Sequence, residues 1–230
     1  MSYIALDLEF NQYFDFPHAK TVPNPYLPAE IVEFGAVRLT DAFEPIETFC
    51  AFVHPTVYPR MHPHVSRLTG IKTTDLKKSP SFEYAYSEFI SFLDGEDVTL
   101  IVWGVDDMRE LIRNVLFYKL PENDIPKKFI NVQKIAAELM NNPNGAVNLK
   151  TAAGLLGLPL LRPFHDALAD AIYTAEILKA VDTDPTPFIR TADVEQVRGL
   201  ADIKIKATAE KEARKLRRAA EQERKNAEEA

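Results

Sequence analysis

Two carboxylates one residue apart, Asp7 and Glu9, interrupt an apolar, β-prone run from Tyr3 to Phe10. Alternate side chains of a strand share a face, so this pair points one way with Cα atoms about 7 Å apart while Leu6 and Leu8 point the other. Like charges side by side on a mostly buried strand repel and are poorly solvated unless a proton or cation compensates them. A hard divalent ion such as Mg²⁺ or Mn²⁺ is the natural compensator for oxygen ligands. By itself a D-x-E pair is a weak signal, equally the mark of a sheet-edge strand with one wet face.

Two further segments carry groups of the same kind. In the run from Pro163 to Ile172, His165 precedes Asp170 by five positions at the mouth of an Ala-rich amphipathic stretch. Positions five apart do not stack on one face of a helix, so His165 belongs on the loop after Pro163 and Asp170 inside the helix. A loop imidazole then approaches a site held by a helix carboxylate, while Asp166 reads as a first-turn residue favoured by the helix dipole. In the middle of the chain, an apolar strand from Leu100 breaks at Gly104 and passes into a helix at Asp106 and Asp107. Either aspartate is a candidate ligand, and one of the two is expected to cap that helix.

D-x-E, an Asp at a strand-to-helix junction, and H-x4-D, in that order and spacing, resemble the DEDDh family of 3′–5′ exonucleases, over roughly residues 1–181. The segment Glu30–Val37 resembles the family's second strand, Leu68-Thr69-Gly70-Ile71 its substrate-side loop, and Val147 to Leu158 the helix before the last motif. Lys128–Val132 and the long connection from Asn11 to Ala29 are most similar to the Eri-type, KapD-like branch, whose members mostly act on RNA. The resemblance implies that Asp7, Glu9, Asp107 and Asp170 bind two Mg²⁺ or Mn²⁺ ions and that His165 is the general base. The family register, with a hydrophobic residue four places after the acid, selects Asp107 through Leu111 over Asp106. Phe10 and Leu68 resemble the residues that bracket the terminal nucleotide, although aromatic and Leu side chains equally serve as packing.

The composition is compatible with this reading and excludes others. At 230 residues and 46% hydrophobic, the chain is long enough for one full-sized core plus a tail. Cys50 is the single cysteine, which rules out an intramolecular disulfide and predicts a small buried hydrophobe on the strand from Thr48 to Val53. The N-terminus has an acid at Asp7 in place of a secretory h-region, and no segment has the roughly 18–20 uncharged apolar residues of a membrane span, so a cytoplasmic protein is expected. His54, His62 and His64 fit no zinc spacing and read as a Pro-punctuated surface loop.

Periodicity predicts strands at 3–9, 31–39, 47–53 and 98–103, and helices near 82–93, 107–117, 131–140, 148–156 and 166–181. A strand meander followed by interleaved strands and helices predicts an α/β fold with a mixed sheet, and the resemblance makes it ribonuclease-H-like, a β-sheet flanked by helices. Residues 182–202 read as a linker, and 203–230 as a charged helical tail. That tail carries nine Lys or Arg against six Glu, so the first 202 residues hold −10 of a chain whose net charge is −7. The tail reads first as a solvated helix paired internally, Glu210 to Arg214 at i,i+4, and second as a recruiting element for nucleic acid or a protein partner.

The leading expectation is a metal-dependent exonuclease that releases 5′-mononucleotides from single-stranded 3′ ends, RNA favoured over DNA. A proofreading-type DNA exonuclease subunit is the second reading. A protein that binds or scaffolds nucleic-acid ends with weak catalysis is the third.

Overall fold

The computed structural model describes residues 2–16, 22–94, 97–140, 147–203, 205–207 and 210. The chain forms two units, Met1–Asp193 and Val194–Ala230. In the first, β1 (Ser2–Gln12), β2 (Ala29–Leu39) and β3 (Pro45–Phe52) make an antiparallel meander, and β4 (Val98–Val102) lies parallel to β1 on its other side. Next come β5 (Lys128–Asn131), parallel to β4, and β6 (Ile189–Thr191), antiparallel to β5, giving the order β3-β2-β1-β4-β5-β6. The result is the mixed, helix-flanked sheet of a ribonuclease-H-like fold, with β1 at its centre.

Seven helices are described in this unit: α1 (Pro63–Thr69), α2 (Thr73–Leu76), α3 (Phe82–Leu93), α4 (Asp106–Phe117), α5 (Val132–Leu139), α6 (Leu149–Leu155) and α7 (Ala167–Ala180). Several begin where a short polar side chain takes up an orphan N–H. Asn131 accepts from Lys134 at 3.2 Å, Asn148 from Thr151 at 2.8 Å and Asp166 from Ala169 at 2.9 Å. Each such cap contributes about 1 kcal/mol.

The parity of β1 decides what each face does. Tyr3 and Ala5 join Val37, Leu39, Ile101 and Ile130 in a core completed by Ile135, Ala152, Tyr173 and Ile177 of α5, α6 and α7. Ile4, Leu6 and Leu8 are buried on the opposite parity, where Phe34 of β2 packs on Phe82 and Phe89 of α3 at centroid distances of 6.1 and 5.3 Å. Asp7 and Glu9 share the parity of Tyr3 and Ala5. The strand therefore runs from packed core into a polar site along one face.

Several elements escape sequence reading because they are short. The Pro-rich stretch expected as loop holds α1, which starts at Pro63 with His62 as its N-cap, and α2, too brief for periodicity to show. β5 occupies four residues just before α5. The segment 182–202, expected as a linker from its prolines, holds a 3-10 turn at Thr186–Phe188 and then β6, and Ala192 N–H donates to the Lys127 carbonyl at 2.9 Å. In the second unit residues 194–203 are helical, with Val194, Val197 and Ala201 buried at helical spacing. The expected charged tail falls mostly outside the described residues. No described helix is long and apolar enough to cross a membrane.

Candidate active site

Strand β1 presents Asp7 and Glu9 opposite Gly35 and Glu33 of β2, with a register shift immediately after Glu9. Asp107 comes from the first turn of α4, which begins as the chain leaves β4 through Gly104, whose φ of 95° suits a residue without a side chain. It is 5% exposed, and its Oδ1 accepts the N–H of Leu8 at 3.2 Å, which ties the helix to the strand between the first two acids. Asp106 is exposed and pairs with Arg109. The expectation that one aspartate caps α4 fails: Val105 is the N-cap and makes no side-chain capping bond. Both aspartates lie instead in the first turn, where the helix dipole favours negative charge.

The fourth carboxylate, Asp170, sits in the first turn of α7 and is 7% exposed. Its Oδ2 accepts the backbone N–H of His165 at 3.0 Å. Its Oδ1 is buried with no hydrogen-bond partner among the described residues. His165 is exposed on the loop before the helix, and its φ of 64° is a left-handed conformation uncommon for a side-chain-bearing residue. Asp166, one residue on, is the N-cap of α7. Ligand atoms of Glu9, His165 and Asp170 lie within 4.8 Å of one another.

What seats α7 against the strands is a residue pair that sequence reasoning did not single out. A Cβ at Gly35 would stand 2.1 Å from the Ala167 carbonyl carbon, so only glycine lets the helix start lie on β2. Beside it Glu33, 4% exposed, accepts the Ala167 N–H at 3.4 Å and the Cys50 thiol at 3.7 Å. A Glu inside an otherwise apolar strand was the available signal. Cys50 itself is exposed on the edge strand β3, contrary to the expected burial. Desolvation together with Glu33 pushes its thiol up to about 11, so it is protonated at neutral pH and no nucleophile.

Five acids thus share one region, and their protonation shows it. Desolvation, then Asp107, Asp170, Glu9 and Glu33, holds Asp7 well above the ordinary carboxylate range. Desolvation, then Asp170 and Glu33, pushes Glu9 up to about 8. Desolvation likewise raises Asp107 to about 7 against the opposing Leu8 N–H, and Asp170 to about 6 against the His165 N–H. Glu33 rises to about 7 through burial. Acids crowded without a Lys or Arg ion pair among the described residues, plus an orphaned buried oxygen on Asp170, fit a hard divalent cation bound through oxygens. Phe10 is half-buried on β1, and Leu68 is 44% exposed on α1, which packs against β1.

Comparison with known proteins agrees with this geometry. Residues 4–178 match the RNase T exonuclease family model. The chain is 29% identical over 187 residues to the probable 3′-5′ exonuclease KapD of Bacillus subtilis, covering 80% of this chain and 85% of that protein. It is 26% identical over 167 residues to human ERI1 exoribonuclease 3, covering 67% of this chain but 48% of that protein, so it spans about half the length of that relative. The nuclease domain of 3′hExo, a DEDDh family member bound to rAMP, superimposes with a TM-score of 0.68 at 21% identity, covering 84% of this chain and 96% of that domain. Escherichia coli exonuclease I in complex with a dA16 oligonucleotide gives a TM-score of 0.59 at 16% identity, over 81% of this chain and 42% of that one. Members of the DEDDh family use divalent metal ions, which suits the oxygen-rich cluster. With the family model spanning most of its length and the acids gathered at one place, the chain belongs to the RNase T exonuclease family and is a 3′–5′ exonuclease acting on nucleic acid.

Proposed function

We propose that this exonuclease removes one nucleotide at a time from single-stranded 3′ ends, prefers RNA to DNA, and releases 5′-monophosphates. The observation that carries the reading is the convergence of Asp7, Glu9, Asp107 and Asp170 with His165 beside them, one carboxylate oxygen being buried without a partner. These four acids would hold two Mg²⁺ or Mn²⁺ ions, which when bound supply Lewis acidity to the scissile phosphate and the attacking water. Asp107 and Asp170 are each held by a backbone N–H, from Leu8 and His165, so their oxygens are fixed before substrate arrives.

His165 takes the proton of the water that attacks phosphorus. Partial desolvation lowers its pKa below the ordinary imidazole value, so the ring is neutral and able to accept a proton at pH 7. Its exposed position beside Glu9 and Asp170, with ligand atoms of the three within 4.8 Å of one another, leaves the ring accessible to water from solvent. The bond from phosphorus to the 3′ oxygen of the preceding nucleotide breaks. That oxygen gains a proton as the new 3′ hydroxyl, and the departing nucleotide keeps its 5′ phosphate. Phe10 and Leu68 are assigned the faces of the terminal nucleotide. The preference for RNA is supported by the exoribonuclease relative, although an exonuclease I bound to a DNA oligonucleotide has the same fold.

End-labelled single strands and duplexes of RNA and DNA, incubated with the purified protein and Mg²⁺ or Mn²⁺, test the reading. Single-stranded RNA should shorten fastest, and chromatography should recover 5′-monophosphates. Preferential attack on mismatched DNA ends would favour a proofreading role instead. Tight end binding without turnover would favour a scaffold.

A further inference from the structure

We propose that Phe14, Phe16, Arg60 and His62 form a ledge that carries the single strand upstream of its terminal nucleotide. The proposal rests on the nuclease reading above and adds to it a binding surface outside the carboxylate cluster.

The ledge begins where the site ends. Tyr3 and Ala5 of β1 are covered by the helical core, Asp7 and Glu9 stand in the site, and Asn11 follows two residues on, about 7 Å further along the strand. Asn11 is wholly buried and straps a loop to this end of β1: its amide donates to the carbonyls of Tyr58 and Arg60 at 2.7 and 2.9 Å, and its oxygen accepts the His62 N–H at 2.8 Å. A strand leaving the site cannot pass through the filled core at Ala5, and this loop is tied to the other end of β1, beyond Glu9.

The loop is built to stay in place. The buried carboxylate of Glu30 accepts the N–H groups of Thr56, Val57 and Tyr58 at 2.6, 3.0 and 2.7 Å and the hydroxyl of Tyr118 at 2.7 Å. The Tyr58 hydroxyl donates to the Leu27 carbonyl at 2.8 Å. On this support Phe14 and Phe16 pack with centroids 4.9 Å apart, His62 meets Phe14 edge-on at 5.2 Å, and the Arg60 guanidinium lies 4.6 Å from the Phe16 centroid. Phe14, Phe16 and His62 are half-buried, and Arg60 is exposed. Aromatic faces interleaved with cations are what single-stranded nucleic acid selects, because every base stacks and every phosphate needs a counter-charge.

Charge points to the same ligand. The first 202 residues carry −10, yet residues 13–16 and 54–80 together hold five Lys or Arg against Asp15 and Asp75 alone. Arg60 and Arg67 make no ion pair among the described residues, unlike Arg38, Arg109, Arg113 and Arg162. An acidic body with a metal site at one place therefore offers a polyanion a local positive approach to it.

The test compares wild type with Phe16→Leu, which keeps apolar bulk but loses the π face, and Arg60→Gln, which keeps length but loses charge. Binding of a fluorescent single strand of about twelve nucleotides, within the usual span of one such platform, is measured by anisotropy without divalent metal, alongside a dinucleotide. Wild type should bind the longer strand at least tenfold more tightly than the dinucleotide. Each variant should weaken binding of the longer strand by roughly tenfold, and Arg60→Gln should lower the salt slope by about 0.7, the value for one phosphate contact on a single strand. Metal-dependent turnover of the dinucleotide and the melting temperature should stay at wild-type values. Unchanged binding of the longer strand in both variants, or an equal loss on both lengths, overturns the ledge. If wild type hydrolyses neither substrate, the nuclease reading fails while the anisotropy result still decides the ledge.

Discussion

Asp106 and Asp107 carry the same side chain on neighbouring positions, yet one faces water beside Arg109 and the other is buried against the Leu8 N–H. Substitution should separate them sharply. Asp107→Asn is expected to reduce kcat by about 10²-fold or more, the scale of a lost transition-state electrostatic contact, and Asp106→Asn by less than threefold; steady-state rates on one single-stranded substrate decide it, and the reverse order would move the site to Asp106. His165 gives a second prediction at this scale. Wild-type kcat should rise with pH with a midpoint below the ordinary imidazole pKa of about 6.5, since partial desolvation lowers this one. His165→Ala should fall by roughly 10² to 10⁴-fold and lose that rise. Calorimetric Mn²⁺ titration of the variant should show unchanged affinity; lost affinity would make His165 a ligand.

Among the elements, the start of α7 on β2 matters most, because it sets Asp170 and His165 against Asp7 and Glu9. Gly35→Ala places a methyl group where the Ala167 backbone stands, so α7 must shift or the variant must lose stability, by about 1–3 kcal/mol as for other overpacked sites. Thermal melting together with kcat checks this: both should drop, and a variant with wild-type values in each would remove the docking argument. The sequence carried only a hint of this contact, a Glu flanked by Val32 and Phe34, and nothing in it named the helix that Glu33 and Gly35 meet, more than a hundred residues away. Helix α7 and strands β1 and β2 were legible because they are long, and β4 because its unbroken apolar run ends at Gly104 before the aspartates. By contrast β6 has three residues and α2 four, little more than one period of a strand or a helix, too short for a repeating pattern to show. Cys50 was misplaced for a related reason: alternation gives the face of a strand but not whether the strand lies at the sheet edge.

For the whole molecule, the crowded acids make stability depend on pH and metal together. Glu9, Glu33, Asp107 and Asp170 all ionise at higher pH in the fold than ordinary carboxylates do. From about pH 4, where unfolded carboxylates ionise, up to about 8, where Glu9 does so in the fold, the folded chain holds more protons than the unfolded one. Its stability therefore falls as pH rises through that window. Metal-free protein should melt at a lower temperature at pH 8 than at pH 5.5, and saturating Mn²⁺ should raise Tm more at pH 8, where the ligands are charged. A melting temperature indifferent to both variables would mean that the acids are compensated some other way. With a divalent cation bound, this acid cluster becomes a hydrolytic site that works from the 3′ end. Its most direct test follows a 5′-labelled single-stranded RNA on a gel, first with chelator-stripped protein and then after Mg²⁺ or Mn²⁺ is returned. The label should stay full-length without metal and then shorten one nucleotide at a time once metal is present; hydrolysis in excess chelator, or immediate release of the label as a mononucleotide, would contradict the account.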